Sequence, residues 1–278
     1  MPSTPISPSP RILVFDSGVG GLSIVHELQK KLPFAPLIYA SDNAFFPYGT
    51  KGETELIARV DAVFRKIIAA HPVDIIVIAC NTASTLTLPH VREHFPQPVV
   101  GVVPAIKPAA AQSKSQVIGL LATPATVARP YTHNLIREYA PNAEIISVGS
   151  SELVQLAEHK LRGGQVTTAQ LKEILQPFFN HPRSDEMDVL VLACTHFPLL
   201  RDELAAQFGP KVKLIDSGEA IARRVASLLA ENSIYEHRLD EQPPEHWAIF
   251  TKASNAATAL APQLAQFGIH NTDIIAVE

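Results

Sequence analysis

Short aliphatic runs, many of them β-branched, alternate along this chain with longer stretches in which apolar residues return every third or fourth position. That is the pattern of strands feeding helices in a parallel sheet covered on both faces. Strands are predicted at Ile12 to Phe15, Leu37 to Ala40, Ile75 to Ala79, Val99 to Val103, Val117 to Ala122, Glu144 to Val148, Val189 to Ala193, Lys213 to Asp216 and Ala248 to Thr251. Helical spacing marks Leu22 to Lys31, Glu53 to Ala70, Ser151 to Arg162 and Ala220 to Glu231.

The pattern repeats. Asp-Ile-Ile-Val-Ile-Ala-Cys-Asn-Thr at 74–82 and Asp-Val-Leu-Val-Leu-Ala-Cys-Thr-His at 188–196 are nearly the same segment, and each ends on one of the chain's 2 cysteines. Strand ends at Asp16, near Asp42, at Cys80 and at Val103 match ends at Thr123, Ser150, Cys194 and Asp216 in the second half. A period of about 110 residues is far too long for a solenoid. The prediction is an α/β fold of two pseudo-symmetric domains, each a mostly parallel sheet flanked by helices. The site then lies in the cleft between them, outside the carboxyl ends of the strands. Residues 1–103 with 211–278 are expected to form a first, discontinuous domain carrying Cys80, and residues 104–210 a second carrying Cys194.

Composition narrows the partners. A net charge of -4 offers no basic stripe, so no nucleic acid is expected. The longest apolar runs are too short to span a bilayer, so no membrane contact is expected. Met1 to Pro10 is rich in Pro and Ser but lacks a basic n-region and an apolar h-region. It reads as a mobile tail rather than a secretory signal, which places the protein in the cytoplasm with its thiols reduced. Two isolated thiols and His196 fall short of a closed metal site, so no metal is expected.

Four segments carry chemistry. Asp16-Ser17-Gly18-Val19-Gly20-Gly21, between a strand and a helix, nearly matches the dinucleotide fingerprint, with Asp42 where a ribose-binding acid would stand. The Asp16 carboxylate would lie beside the slot where a pyrophosphate docks, which suits an ammonium group better. Asp42 to Gly49 joins aromatic, polar and turn residues in one loop, either a substrate-positioning loop or an ordinary surface turn. Cys80-Asn81-Thr82 and Cys194-Thr195-His196 put a thiol where a strand ends and a helix begins. Free N–H groups there are expected to lower a thiol pKa. One thiol per half suits attack on a single carbon from opposite faces, and so stereochemical inversion. Rival readings are a nucleotide-binding domain and a two-lobed amino-acid receptor without catalysis.

Four motifs, Phe-Asp-Ser-Gly-Val-Gly-Gly-Leu-Ser at 15–23, Phe-Pro-Tyr-Gly at 46–49, Ala-Cys-Asn-Thr-Ala-Ser at 79–84 and Ala-Cys-Thr-His-Phe-Pro-Leu-Leu at 193–200, resemble those of the glutamate racemases, in the aspartate/glutamate racemase superfamily. The resemblance runs from about Arg11 to Glu231. It implies cofactor-independent racemisation of glutamate, supplying D-glutamate for peptidoglycan, with Cys80 and Cys194 as acid/base residues serving the D and L enantiomers respectively. It further implies substrate contacts from Asp16, Ser17, Tyr48, Gly49, Asn81, Thr82, Thr123, Thr126, Thr195 and His196, with Asp16 and His196 assisting the thiols. His196, where aspartate racemases usually carry Glu, favours glutamate. Ala193 and Ala125 stand where the family commonly has Gly. Val102 to Ala109 resembles members activated by UDP-N-acetylmuramoyl-L-alanine, and a monomer or homodimer is expected.

Overall fold

The computed structural model describes residues 10–231 and 243–277, and the tail expected at the N-terminus lies, apart from Pro10, outside the described residues. Ten strands are described: β1 Ile12–Asp16, β2 Leu37–Ser41, β3 Ile75–Ile78, β4 Val99–Gly101, β5 Val117–Ala122, β6 Glu144–Gly149, β7 Val189–Leu192, β8 Lys213–Ile215, β9 His246–Phe250 and β10 Ile269–Ile274. They form a 6-stranded sheet in the order β10-β9-β2-β1-β3-β4 and a 4-stranded sheet in the order β6-β5-β7-β8. Every pairing is parallel. Without its two added edge strands the first sheet has the order 2-1-3-4, and the second repeats it. This is the duplication expected from the sequence.

Central strands are apolar throughout because both faces are covered. Ile12 and Val14 point to one core, with the helices Leu22–Lys31 and Gly218–Glu231. Leu13 and Phe15 alternate to the other, against Glu53–Ala70, as the period of two requires. The second sheet is sandwiched likewise, by Glu152–Leu161 and Thr168–Phe179 on one face and Ile106–Gln112 and Pro130–Tyr139 on the other.

The expected boundary at 211 is corrected by strand pairing. Lys213 pairs with Val189, so β8 completes the second sheet. The chain returns to the first sheet only after Ile215, when Ile221, Ala222 and Val225 of the next helix join the first core. The two crossings between sheets run side by side, and the Ser217 hydroxyl donates to the Val103 carbonyl. The final predicted strand begins earlier than expected, at His246, and β10 was not anticipated because Ile269–Ile274 is an edge strand of mostly polar sequence. The helix expected to begin after Cys80 runs from Asn81 to His94; its buried face holds Asn81, Thr82, Ser84 and Thr87, and Pro89 lies within it.

Phe64 fixes the Glu53–Ala70 helix to the sheet: it is fully buried, edge-on to Phe15 at 4.8 Å and to Phe95 at 5.7 Å between ring centres. Phe64→Ala is expected to cost about 3–5 kcal/mol in urea-unfolding free energy, the loss typical of a buried aromatic replaced by a methyl. A change below about 1 kcal/mol, within the range of surface substitutions, would contradict this packing.

Candidate active site

The two cysteines occupy equivalent places. Cys80 directly precedes the helix Asn81–His94, two residues beyond the end of β3, and Cys194 stands two residues beyond β7. Both strands are interior to their sheets. Both thiols are free and nearly buried, at 7% and 8% exposure. The local geometry differs after them. A regular helix follows Cys80, whereas Pro198 helps confine Phe197–Leu200 to a 3-10 turn after Cys194.

The expectation that each thiol is acidified by a helix N-terminus is not met at Cys80. Burial pushes this thiol well up, and the charge of Asp16 pushes it further. The Ala83 N–H and the Ser17 hydroxyl, 3.9 Å from the sulfur, pull the other way without prevailing. Desolvation of a thiolate exceeds what one helix end returns.

Cys194 has a different neighbour. Its sulfur lies 3.8 Å from His196 Nδ1, and His196 Nε2 lies 2.8 Å from Glu158 Oε1. The other Glu158 oxygen meets Arg162 at 2.6 Å. Burial alone would lower the His196 pKa, but the bonds to Cys194 and Glu158 hold it well above its ordinary value. Burial likewise opposes ionisation of Glu158, and the bond and charge of His196, with Arg162, keep it below the usual range. Each group thus favours the other's charged form, and in an imidazolium both ring nitrogens are donors. Sequence reasoning missed Glu158. Its signal is an acid on the buried stripe of Glu152–Leu161, between Val154 and Leu161.

Glu158 also accepts the Val19 N–H, at 2.8 Å, from the glycine-rich turn of the first half. That contact explains the glycines. A Cβ on Gly18 would stand 2.2 Å from Glu158 Oε1, and one on Gly20 would stand 2.5 Å from His196 Nδ1 and 2.8 Å from Thr195 Oγ1. The turn that imitates a dinucleotide fingerprint is filled by the protein's own Thr195, His196 and Glu158. Asp16, at its start, is fully buried; one oxygen accepts the Gly21 N–H at 2.9 Å and the other has no partner. Burial raises its pKa, against the charge of His196.

One narrow cavity of about 70 Å³ is lined by Ser17, Tyr48, Gly49, Cys80, Asn81, Thr82, Thr123, Thr126, Cys194, Thr195 and His196. Every residue predicted for the site is there except Asp16. The lining also includes Phe46, Ser151, Val154 and Gln155, and Phe46 packs 6.1 Å from His196 between ring centres. Thr123 and Thr126 share a hydroxyl contact at 3.0 Å, and Asn81 Oδ1 is buried with no partner. A larger cavity of about 610 Å³, bounded by Leu22, His26, Lys30, Leu199 and Ile215, contains neither sulfur. Chemistry rather than size selects the site: two thiols, hydroxyls and amide groups enclosing a space suited to a small polar anion.

The chain resembles proteins of known activity over nearly its whole length. The profile described as Asp/Glu/Hydantoin racemase matches residues 22–225. A glutamate racemase of Salmonella paratyphi A is 47% identical over 275 residues, covering 99% of this chain and 95% of the relative. One from Salmonella enteritidis is 53% identical over 227 residues, covering 82% of this chain and 80% of the relative. The crystal structure of Escherichia coli glutamate racemase, in complex with L-glutamate and the activator UDP-MurNAc-ala, superposes with a TM-score of 0.90 at 44% identity, covering 98% of this chain and all of that one. The chain therefore belongs to the glutamate racemase family.

Proposed function

We propose that the chain interconverts L- and D-glutamate by a two-base mechanism that needs no cofactor, with Cys80 and Cys194 on opposite faces of the substrate α-carbon. One observation carries this reading: two sulfurs from equivalent strand ends of a duplicated sheet line one cavity. In the L-to-D direction the Cys194 thiolate takes the α-proton, forming S–H as the Cα–H bond breaks. The Cys80 thiol then gives its proton to the opposite face and is left as thiolate. Burial supports Cys80 as the protonated partner at the start, and His196 Nδ1, 3.8 Å from the Cys194 sulfur, is placed to exchange a proton with it.

Positioned acid/base groups contribute roughly 10²–10⁴-fold, so the rest must come from donors arranged around the developing carbanion. Asn81, Thr82, Thr195, Thr123 and Thr126 are those donors to the carboxylates, together with Ser17 and the Tyr48–Gly49 backbone. The substrate ammonium brings a positive charge beside Asp16 and Cys80, which offsets the burial that holds Cys80 protonated. Asp16 and His196 assist their neighbouring thiols when protons are redistributed after turnover.

The E. coli relative and the Val102 to Ala109 segment support UDP-N-acetylmuramoyl-L-alanine as an activator. D-glutamate made here supplies peptidoglycan synthesis. Among the described residues no helix is long and apolar enough to cross a membrane, and we place the enzyme in the cytoplasm.

Cys80→Ala and Cys194→Ala are each expected to abolish racemisation, measured by polarimetry on both enantiomers. In D₂O, Cys80→Ala retains α-proton exchange on L-glutamate only and Cys194→Ala on D-glutamate only. Racemisation at the wild-type rate by either variant would end the two-base reading.

The His196–Glu158 pair makes a separate prediction. A carboxyl held below its ordinary 4.5 gives stability that is present above that value and lost as pH falls through its folded pKa. An imidazole held above 6.5 gives stability that is present below that value and lost as pH rises through its folded pKa. The thermal-midpoint deficit of Glu158→Gln should therefore peak between about pH 4.5 and 6.5 and narrow on either side. A deficit independent of pH would show that the pair is not charged.

A further inference from the structure

The geometry points to a positioning device outside the cavity, in which the C-terminal segment, through Arg59 and Asp42, sets the Tyr48–Gly49 wall against the substrate. The inference rests on the assignment of that cavity to glutamate.

Asp42 is fully buried one residue beyond β2 and receives four hydrogen bonds. Tyr48 Oη donates to Oδ2 at 2.6 Å, Arg59 Nε to Oδ2 at 2.9 Å, Arg59 Nη2 to Oδ1 at 2.7 Å, and Thr251 Oγ1 to Oδ1 at 2.6 Å. Its backbone N–H is tied to the Asp16 carbonyl at 2.9 Å, so the carboxylate is held relative to the catalytic turn. Tyr48 is 1% exposed, and its neighbour Gly49 lines the same cavity. The phenol bond therefore fixes where the Tyr48–Gly49 backbone stands.

The guanidinium has a third engagement. Arg59 Nη1 donates to the Val277 carbonyl at 2.7 Å, and Lys66 Nζ to the Ala276 carbonyl at 2.8 Å. The Ile275 N–H pairs with the Phe250 carbonyl at 2.9 Å, and the side chains of Ile275 and Val277 pack on the core beneath the Glu53–Ala70 helix. Thr251 joins the same carboxylate from the end of β9, and its hydroxyl accepts the Ala44 N–H at 3.0 Å. Segments far apart in sequence thus converge on one carboxylate. A planar fork that binds two carboxylate oxygens and a carbonyl at once is a role lysine cannot fill.

Arg59 and Asp42 are positioning residues, so their loss should move substrate binding more than chemistry. Tyr48→Phe, Arg59→Met and Ile275→Ser are each expected to raise KM for both enantiomers, about tenfold for Tyr48→Phe and Arg59→Met, with kcat within about threefold of wild type. Arg59→Lys, which keeps the charge without the fork, should fall between wild type and Arg59→Met. The Tyr48→Phe/Arg59→Met double variant should raise KM no more than the larger single change, because both act along one chain of contacts.

Wild-type KM with a lowered thermal midpoint in Arg59→Met, or additive KM effects in the double variant, would reduce the network to a structural brace and overturn the inference. Should Arg59→Met fail to fold, Tyr48→Phe and Arg59→Lys decide the matter by the same split. Absence of racemisation by the wild-type protein would instead overturn the proposed function.

Discussion

A single carboxylate oxygen joins the two halves at the site. Glu158 Oε1, carried by the second half, accepts the Val19 N–H of the first half and lies 2.8 Å from both that nitrogen and His196 Nε2. Burying this acid has a cost that is met only while imidazolium, guanidinium and amide are all in place. The contact therefore ties the charge on His196, and through it the sulfur of Cys194, to the juxtaposition of the two sheets. A second buried acid, Asp42, performs a parallel task on the first half's side, with Arg59 and Tyr48 as its partners. The Glu158 contact is satisfied only with the two halves together, whereas the Asp42 contacts lie within the first half.

The asymmetry between the thiols follows from the same source. Their strand positions are equivalent, but their surroundings are not: Cys80 has Asp16, Ser17 and a regular helix, whereas Cys194 has His196, Glu158 and a turn interrupted by Pro198. Duplication supplied the geometry of two opposed groups. Divergence of the residues around them gave the thiols different partners, a carboxylate and a hydroxyl near Cys80 and an imidazole beside Cys194.

The strand alternation, the repeat and both cysteine motifs were legible in the sequence because parallel strands buried on both faces leave apolar runs that few other structures produce. Ser17, Asn81, Thr82, Thr195 and His196 were legible because they adjoin strand ends, where ligands of such sheets bind. Glu158 was not, since a lone acid on an amphipathic helix reveals itself only when the helix is known to bury that face. The start of the Asn81–His94 helix was legible at Cys80 but its length was not, because its buried side is polar, and β10 escaped because an edge strand with one wet face loses the apolar signature. The acidified thiol expected at Cys80 failed for a quantitative reason: local dipoles are readable from strand-to-helix junctions, but the depth of burial that outweighs them is a property of the assembled fold.

The backbone passes between the sheets twice, after β4 and after β8, and Ser217 and Val103 bind the two passages to each other. Displacing one passage therefore pulls on the other, so the two crossings constrain the halves more tightly than a single connection would. The spacing of the two sulfurs is thus backed by covalent chain at one edge of the molecule as well as by the side chains packed around them.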